Sequence, residues 1–228
     1  MKIQLTEIAG LTTRIAGPDG PTPLTAILLH GFGAPGDDLV GLAPYLKTRA
    51  RFVFPAAPIE LDGMYGEGRA WWPLDLMKLD AQLRSGKRDF SEVPEGLAEA
   101  RAKISALVDE VGRDGKVVLG GFSQGAMLAL DVALHRDAKL AGIVLLSGTL
   151  IADSEWTPLL PRLAGVPIFM SHGRHDPLLP FSIAESLRDR LTAAGAAVEW
   201  HAFGGGHEIP ADVLDAADSF LSVCQDRG

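Results

Sequence analysis

The chain carries a single cysteine, Cys224, so no internal disulfide can form, and a reducing cytoplasm is the expected compartment. Positive charge is scarce too: 21 Lys and Arg stand against 29 Asp and Glu, for a formal net charge of -8. No segment carries a basic stripe. Phosphate backbones are gripped by clustered Lys and Arg, so nucleic acid is not expected as a partner. Long apolar runs are missing as well. The longest candidates, such as Leu140 to Leu146, have the length of a strand rather than the roughly twenty residues of a membrane span. The opening Met1-Lys2-Ile3-Gln4-Leu5-Thr6-Glu7 lacks the unbroken apolar core of an export signal. There is no internal repeat and no low-complexity tract. With 47% hydrophobic and 22% charged residues, the composition is that of a globular protein able to bury a substantial core.

Eight strand candidates can be read from the apolar runs. Two open the chain as an antiparallel pair, Lys2 to Ala9 and Leu11 to Ala16, parted by Gly10. The others are Thr25 to His30, Arg51 to Phe54, Lys116 to Gly120, Leu140 to Leu146, Pro167 to Ser171 and Ala197 to His201. Helical patterns lie at Asp37 to Lys47, Pro94 to Val111, Gln124 to His135, Phe181 to Ala194 and Pro210 to Gln225. Strands alternating with helices predict an α/β fold, a mostly parallel twisted sheet with helices on both faces. Near-continuous apolar strands suit burial on both sides. The stretch 59–93 breaks the rhythm with Gly, aromatic and charged residues of no single period. Segments of that length inside a domain are usually functional or mobile. No linker divides the chain, so residues 1–228 are expected to form one domain without a large separate lid, with 59–93 as an insertion.

Ser123 stands in Gly121-Phe122-Ser123-Gln124-Gly125, between the apolar run Val117-Val118-Leu119-Gly120 and the helical Ala126-Met127-Leu128-Ala129-Leu130. The pentapeptide by itself is weak evidence, since glycine is abundant. Its placement is informative. A strand that turns at once into a helix holds the central side chain on a strained bend, and flanking glycines avoid Cβ clashes with neighbouring backbone. The Gln124 N–H then points from a helix start toward the reacting atoms.

A serine hydroxyl needs a base, and the base needs an orienting group. In a doubly wound hydrolase these follow in the order Ser, acid, His. Asp176 follows a strand in His172-Gly173-Arg174-His175-Asp176-Pro177, and His207 follows the last strand in Gly204-Gly205-Gly206-His207. His30, in Leu29-His30-Gly31-Phe32-Gly33, shapes a loop that aims the Phe32 N–H at a developing oxyanion. Blander roles suit the rest: His135 ends a helix, His201 lies in the last strand, and Cys224 in a helix is an inert thiol. His172 and His175 beside Asp176 look superficially like metal ligands, but further ligands at recognisable spacing are missing. No metal and no cofactor is expected.

Together these segments resemble the phospholipase/carboxylesterase family of α/β-hydrolases, which contains small carboxylesterases and acyl-protein thioesterases. The resemblance runs from Leu29-His30-Gly31-Phe32-Gly33 through Arg69-Ala70-Trp71-Trp72, the Ser123 turn and the His172 to Pro180 segment to Gly206-His207-Glu208-Ile209-Pro210. It implies Ser123 as nucleophile, Asp176 as orienting acid, His207 as general base, and the Phe32 and Gln124 N–H groups as oxyanion donors. Three departures stand out. Ala34-Pro35-Gly36 precedes Asp37-Asp38, Pro73-Leu74 separates Trp72 from Asp75, and Ala126 follows the nucleophile turn where many members have glycine. None touches the triad.

The expected reaction is hydrolysis of carboxylic esters, thioesters or lysophospholipids with short to medium acyl chains, on a small-molecule substrate. Met64, Tyr65, Trp71, Trp72, Leu74 and Met77, with Leu178 and Leu179, are the expected apolar lining. Monomer and homodimer both remain open. An acyltransferase or perhydrolase could use the same site, and a non-catalytic ligand-binding module on the same fold is the alternative from another class. A cysteine-dependent lactone hydrolase would need a thiol at position 123, which is serine.

Overall fold

Side chains alternate across a strand, and here both sets are apolar, so the sheet must be covered on each face. A computed structural model describes residues 2–18, 20–61, 66–75, 77, 91–113 and 115–227. The main sheet holds β1 (Lys2–Ile8), β2 (Leu11–Gly17), β3 (Leu24–Leu29), β4 (Arg51–Pro55), β7 (Lys116–Phe122), β8 (Gly142–Leu146), β9 (Pro167–Gly173) and β10 (Ala197–Phe203). Two further short strands, β5 (Ile59–Glu60) and β6 (Arg69–Ala70), pair with each other in the 59–93 stretch. The eight strands lie in the order β1-β2-β4-β3-β7-β8-β9-β10. Only the β1–β2 and β2–β4 pairings are antiparallel; β4-β3-β7-β8-β9-β10 run parallel. This is the mostly parallel eight-stranded architecture that the apolar runs predict.

Five α-helices are described: α1 (Leu97–Val111), α2 (Gln124–His135), α3 (Asp153–Leu159), α4 (Phe181–Ala193) and α5 (Ala211–Asp226). Ile27, Leu119, Ile143 and Ile168 face one core with Ile104, Leu128, Trp156 and Leu187 from α1 to α4. The alternate residues Ala26, Val118, Val144 and Phe169 face the other, with Val213 and Phe220 from α5. Burying each such large side chain stabilises the fold by about 1.5–3 kcal/mol. No helix among the described residues is long and apolar enough to cross a membrane.

Two helical regions differ from expectation. Residues 37–47, expected as a helix, form a 3-10 helix at Asp38–Tyr45, with Pro44 inside it. Proline offers no N–H for a longer α-helical ladder. The unexpected α3 runs into a 3-10 turn at Leu160–Leu163, and Pro158 and Pro161 hide both from a reading that takes proline as a breaker.

Helix α2 is buried from Gln124 to Leu134, so the carboxylate of Asp131 lies fully inside at 0% exposure. Arg101 from α1 meets it through Nε–Oδ2 at 2.6 Å and Nη2–Oδ1 at 3.1 Å. The Trp156 indole N–H of α3 donates to Oδ1 at 2.8 Å, and Arg101 also reaches Glu155 at 3.0 Å. Asp131, His135 and Glu155 place their polar atoms within 4.8 Å of one another, and the Arg101 guanidinium is their counter-charge. One charged pair thus ties three helices beneath the Ser123 turn.

Candidate active site

The turn between β7 and α2 places Ser123 at φ 55 and ψ -117, a backbone conformation that costs a non-glycine residue about 1–3 kcal/mol. Its N–H donates to the Leu146 carbonyl at 2.9 Å, which anchors the bend to β8. The glycines on either side are sterically required. A Cβ on Gly121 would stand 2.5 Å from the Leu29 carbonyl oxygen, and one on Gly125 would stand 2.1 Å from it.

Asp176 follows β9 and His207 follows β10, adjacent parallel strands whose loops leave the same sheet edge. The loops are laced by Arg174 N–H to Phe203 O at 2.9 Å and His175 N–H to Gly205 O at 3.0 Å. Gly173 permits that contact, since a Cβ there would lie 2.1 Å from the Gly206 carbonyl oxygen. The result brings three distant segments together. His207 Nδ1 is 2.6 Å from Asp176 Oδ2, and His207 Nε2 is 2.8 Å from Ser123 Oγ. With Nδ1–H donating to the carboxylate, Nε2 keeps its lone pair and accepts from the serine hydroxyl. The Phe122 ring flanks the imidazole, its centroid 4.8 Å away.

Asp176 is buried at its side chain, and burial alone would raise its pKa. The His207 hydrogen bond and the Leu178 and Leu179 amides, each 2.9 Å from Oδ1, outweigh that penalty and hold the carboxyl below the usual range. It is therefore ionised wherever an imidazole can titrate.

The His30 loop is equally fixed. The His30 carbonyl accepts from the Trp71 indole N–H at 2.9 Å, and its Nε2 accepts from the Ala57 N–H at 3.0 Å. That leaves Nδ1–H to donate to the Gly31 carbonyl at 2.8 Å. Gly33 N–H donates to Arg69 O at 2.9 Å, joining the loop to β6. A Cβ on Gly31 would lie 3.4 Å from the Ser123 Cβ, so half-buried Phe32 enters from beside the nucleophile. Gln124, at the first position of α2, belongs to the turn whose N–H groups lack intrahelical partners. Its buried side chain also clamps the tryptophan pair, accepting from Trp71 N–H and donating to Trp72 O, both at 2.9 Å. Sequence reasoning gave Gln124 only its backbone role.

The expected acyl lining is largely redistributed. Trp71 and Trp72 are 2% and 1% exposed and belong to the core beside α1, as does Leu179 at 5%. Leu74 is partly buried against the same core. In the core the Trp71 indole N–H finds the His30 carbonyl, while the Trp72 indole nitrogen has no hydrogen-bond partner among the described residues. Leu178 and Met77 are exposed at 50% and 85%. Met64 and Tyr65 lie outside the described residues.

Among the other histidines, His135 bonds the Asp131 carbonyl at the end of α2, and His201 pairs with Glu199 on β10. His175 is exposed. Cys224 is buried, which pushes its thiol up to about 11 and keeps it protonated and inert at neutral pH. His172, which sequence reasoning weighed only as a superficial metal ligand, lies fully buried behind Asp176.

Burial also lowers the pKa of His30 and His172. Both stay neutral in the fold while the unfolded chain takes up protons near pH 6.5. Their contribution is therefore complete above pH 6.5 and is lost as pH falls toward their folded values. The free energy of unfolding is expected to drop between pH 7 and pH 5, with a slope of up to about 1.4 kcal/mol per pH unit for each histidine. Urea titrations across this range would check it, a flat profile being the contrary result.

Residues 12–225 match the family described as Phospholipase/Carboxylesterase. The chain belongs to the phospholipase/carboxylesterase family. With that family it is a carboxylic ester hydrolase of the α/β-hydrolase fold. It is 30% identical over 212 residues to "Acyl-protein thioesterase 1" of Neurospora crassa, covering 87% of this chain and 85% of that protein. The corresponding Eremothecium gossypii protein is also 30% identical, over 227 residues and 92% of each chain. The crystal structure of esterase PE8 superposes with a TM-score of 0.76 at 27% identity, covering 98% of this chain and 100% of that one. Zea mays acyl-protein thioesterase 2 superposes at 0.75 with 23% identity, over 93% and 98% of the two chains, and attests the fold alone.

Proposed function

We propose that this protein hydrolyses esters or thioesters of short to medium acyl chains through an acyl-enzyme on Ser123. The observation that carries the reading is the continuous relay, with His207 Nε2 2.8 Å from the serine oxygen and Nδ1 2.6 Å from the buried Asp176 carboxylate. The serine oxygen attacks the substrate carbonyl while its proton passes to His207 Nε2, and Asp176 stabilises the imidazolium. The tetrahedral oxyanion accepts from the N–H groups of Phe32 and Gln124, and loss of either donor would lower the rate ~10²–10³-fold. The imidazolium then protonates the departing alkoxide or thiolate as its bond to the acyl carbon breaks. Water, deprotonated by His207, attacks the acyl-enzyme and restores the serine hydroxyl.

Residues 1–228 act as one catalytic unit in this reading. The single, inert cysteine suits work in a reducing cytoplasm. The short-chain preference rests on the redistribution of the apolar lining. With Trp71, Trp72 and Leu179 in the core, Leu178 and Met77 are the exposed members of that set among the described residues. A series of p-nitrophenyl esters from acetate to palmitate, matched by S-acyl thioesters, tests this. The expected kcat/KM is highest at or below the medium chains; a sharp maximum at palmitate would contradict it. Product analysis with added alcohol or peroxide should still find the free acid as the main product.

A further inference from the structure

Asp176 is held on several sides, and one of its supports has not been given a role in the chemistry. Oδ1 accepts from the Leu178 and Leu179 amides, and Oδ2 accepts from His207. Behind the carboxylate stands His172, at 0% exposure, near the end of β9. Its Nε2 lies 2.8 Å from the Leu179 carbonyl and 3.4 Å from Asp176 Oδ2. These two acceptors face Nε2, the Gly148 carbonyl is a weaker neighbour of the ring, and Nδ1 makes no hydrogen bond, which assigns the proton of the neutral imidazole to Nε2. Leu179 is thereby gripped twice, its N–H by Asp176 and its carbonyl by His172.

We propose that His172 is a positioning residue for the reaction: by clamping the Leu179 carbonyl it keeps both loop amides on Asp176 Oδ1 and keeps Oδ2 turned toward His207. The inference rests on the reading of Ser123, His207 and Asp176 as the catalytic triad. A core filler would not require this residue. The neighbouring inward positions of β9 are Ile168 and Met170, and an aliphatic side chain at 172 would fill the same face without a desolvated imidazole. What imidazole adds is a donor at one fixed reach. Burial keeps the ring neutral, so it adds no full charge that would compete with His207 for the carboxylate. Without the donor the 176–179 turn loses its tie to β9 and Oδ2 is free to rotate away from His207 Nδ1.

His172→Leu removes the donor, whereas His172→Gln places an amide N–H at about the reach of Nε2. The Leu variant is expected to lose about ten- to a hundredfold in kcat on p-nitrophenyl butyrate with KM nearly unchanged, as for a small misplacement of a reacting group. The far-downfield proton resonance of His207 Nδ1–H should shift or broaden in the same variant. The Gln variant should restore both. A folded Leu variant with wild-type kcat and an unmoved resonance would overturn the proposal, and so would loss in both variants alike. If the Leu variant does not fold, His172→Asn, whose amide reaches only the Nδ1 position, is expected to show the same loss. The wild type offers a test without substitution: ¹⁵N spectra should report His172 as the Nε2–H tautomer, and an Nδ1–H tautomer would overturn the assignment. Failure of the triad reading looks different, since a fluorophosphonate would then label the wild type away from Ser123 whatever residue stands at 172.

Discussion

Ser123→Ala is expected to lower kcat on p-nitrophenyl butyrate by about 10⁴–10⁶-fold while the far-UV circular dichroism stays that of the wild type. The size follows from the geometry. Asp176 and His207 act only through the serine oxygen 2.8 Å from Nε2, so removing that oxygen silences the whole relay at once. What survives is the contribution of substrate binding and the oxyanion donors. The fold should tolerate the change because alanine keeps the Cβ that Ser123 already carries at φ 55, and the Ser123 N–H bond to Leu146 is a backbone contact. A loss of less than about tenfold in a folded variant would mean that another group is the nucleophile.

The largest effect on stability is expected away from the reacting atoms. Asp131→Ala would leave the Arg101 guanidinium, 19% exposed, with Glu155 as its remaining carboxylate partner, and would strip the Trp156 indole N–H of its acceptor. Breaking a buried pair from one side costs about 3–5 kcal/mol, and the partial exposure of Arg101 places the expectation near the lower figure. Removing the surface partner of the Arg162–Asp137 pair, where Asp137 is fully exposed and the charges are screened by solvent, should leave the unfolding midpoint close to that of the wild type. Urea unfolding of the two variants side by side reads the difference. Activity per folded Asp131→Ala molecule should remain close to that of the wild type, because Asp131 touches none of the reacting groups. Equal midpoints for the two variants would refute the claim that this ion pair holds α1, α2 and α3 together.

The parts of the fold legible in the sequence are those where local chemistry and tertiary demand agree. Runs such as Val117-Val118-Leu119 are strands both by propensity and by burial on two faces, and all eight strands of the main sheet were found where such runs lie. Their ends were less visible. β7 continues through Gly120 and Gly121 to Phe122 because β3 and β8 pair with it there, a reason that lies in the neighbours and not in glycine itself. α3 is not legible because its polar residues and Pro158 give no apolar period, with Trp156 its one fully buried residue and Leu159 only partly buried against the core. At the candidate site, glycines stand near Ser123, Asp176 and His207 in the turns that follow β7, β9 and β10, where the chain must reverse at one sheet edge. The setting of the tryptophan pair is not legible in the sequence, for a physical reason. An aromatic side chain reads the same whether it walls a pocket or fills a core, and only the Gln124 and His30 contacts decide between them. His172 carried no signal at all, because its meaning depends on the chain returning to place Leu179 above it.

The central claim is that one hydroxyl, activated by His207, forms the covalent intermediate. Treatment of the intact protein with a fluorophosphonate probe, followed by peptide mapping, tests it most directly. The account predicts stoichiometric modification at Ser123 that is abolished in His207→Ala. Modification at any other residue, or undiminished labelling of Ser123 without the imidazole, would contradict it.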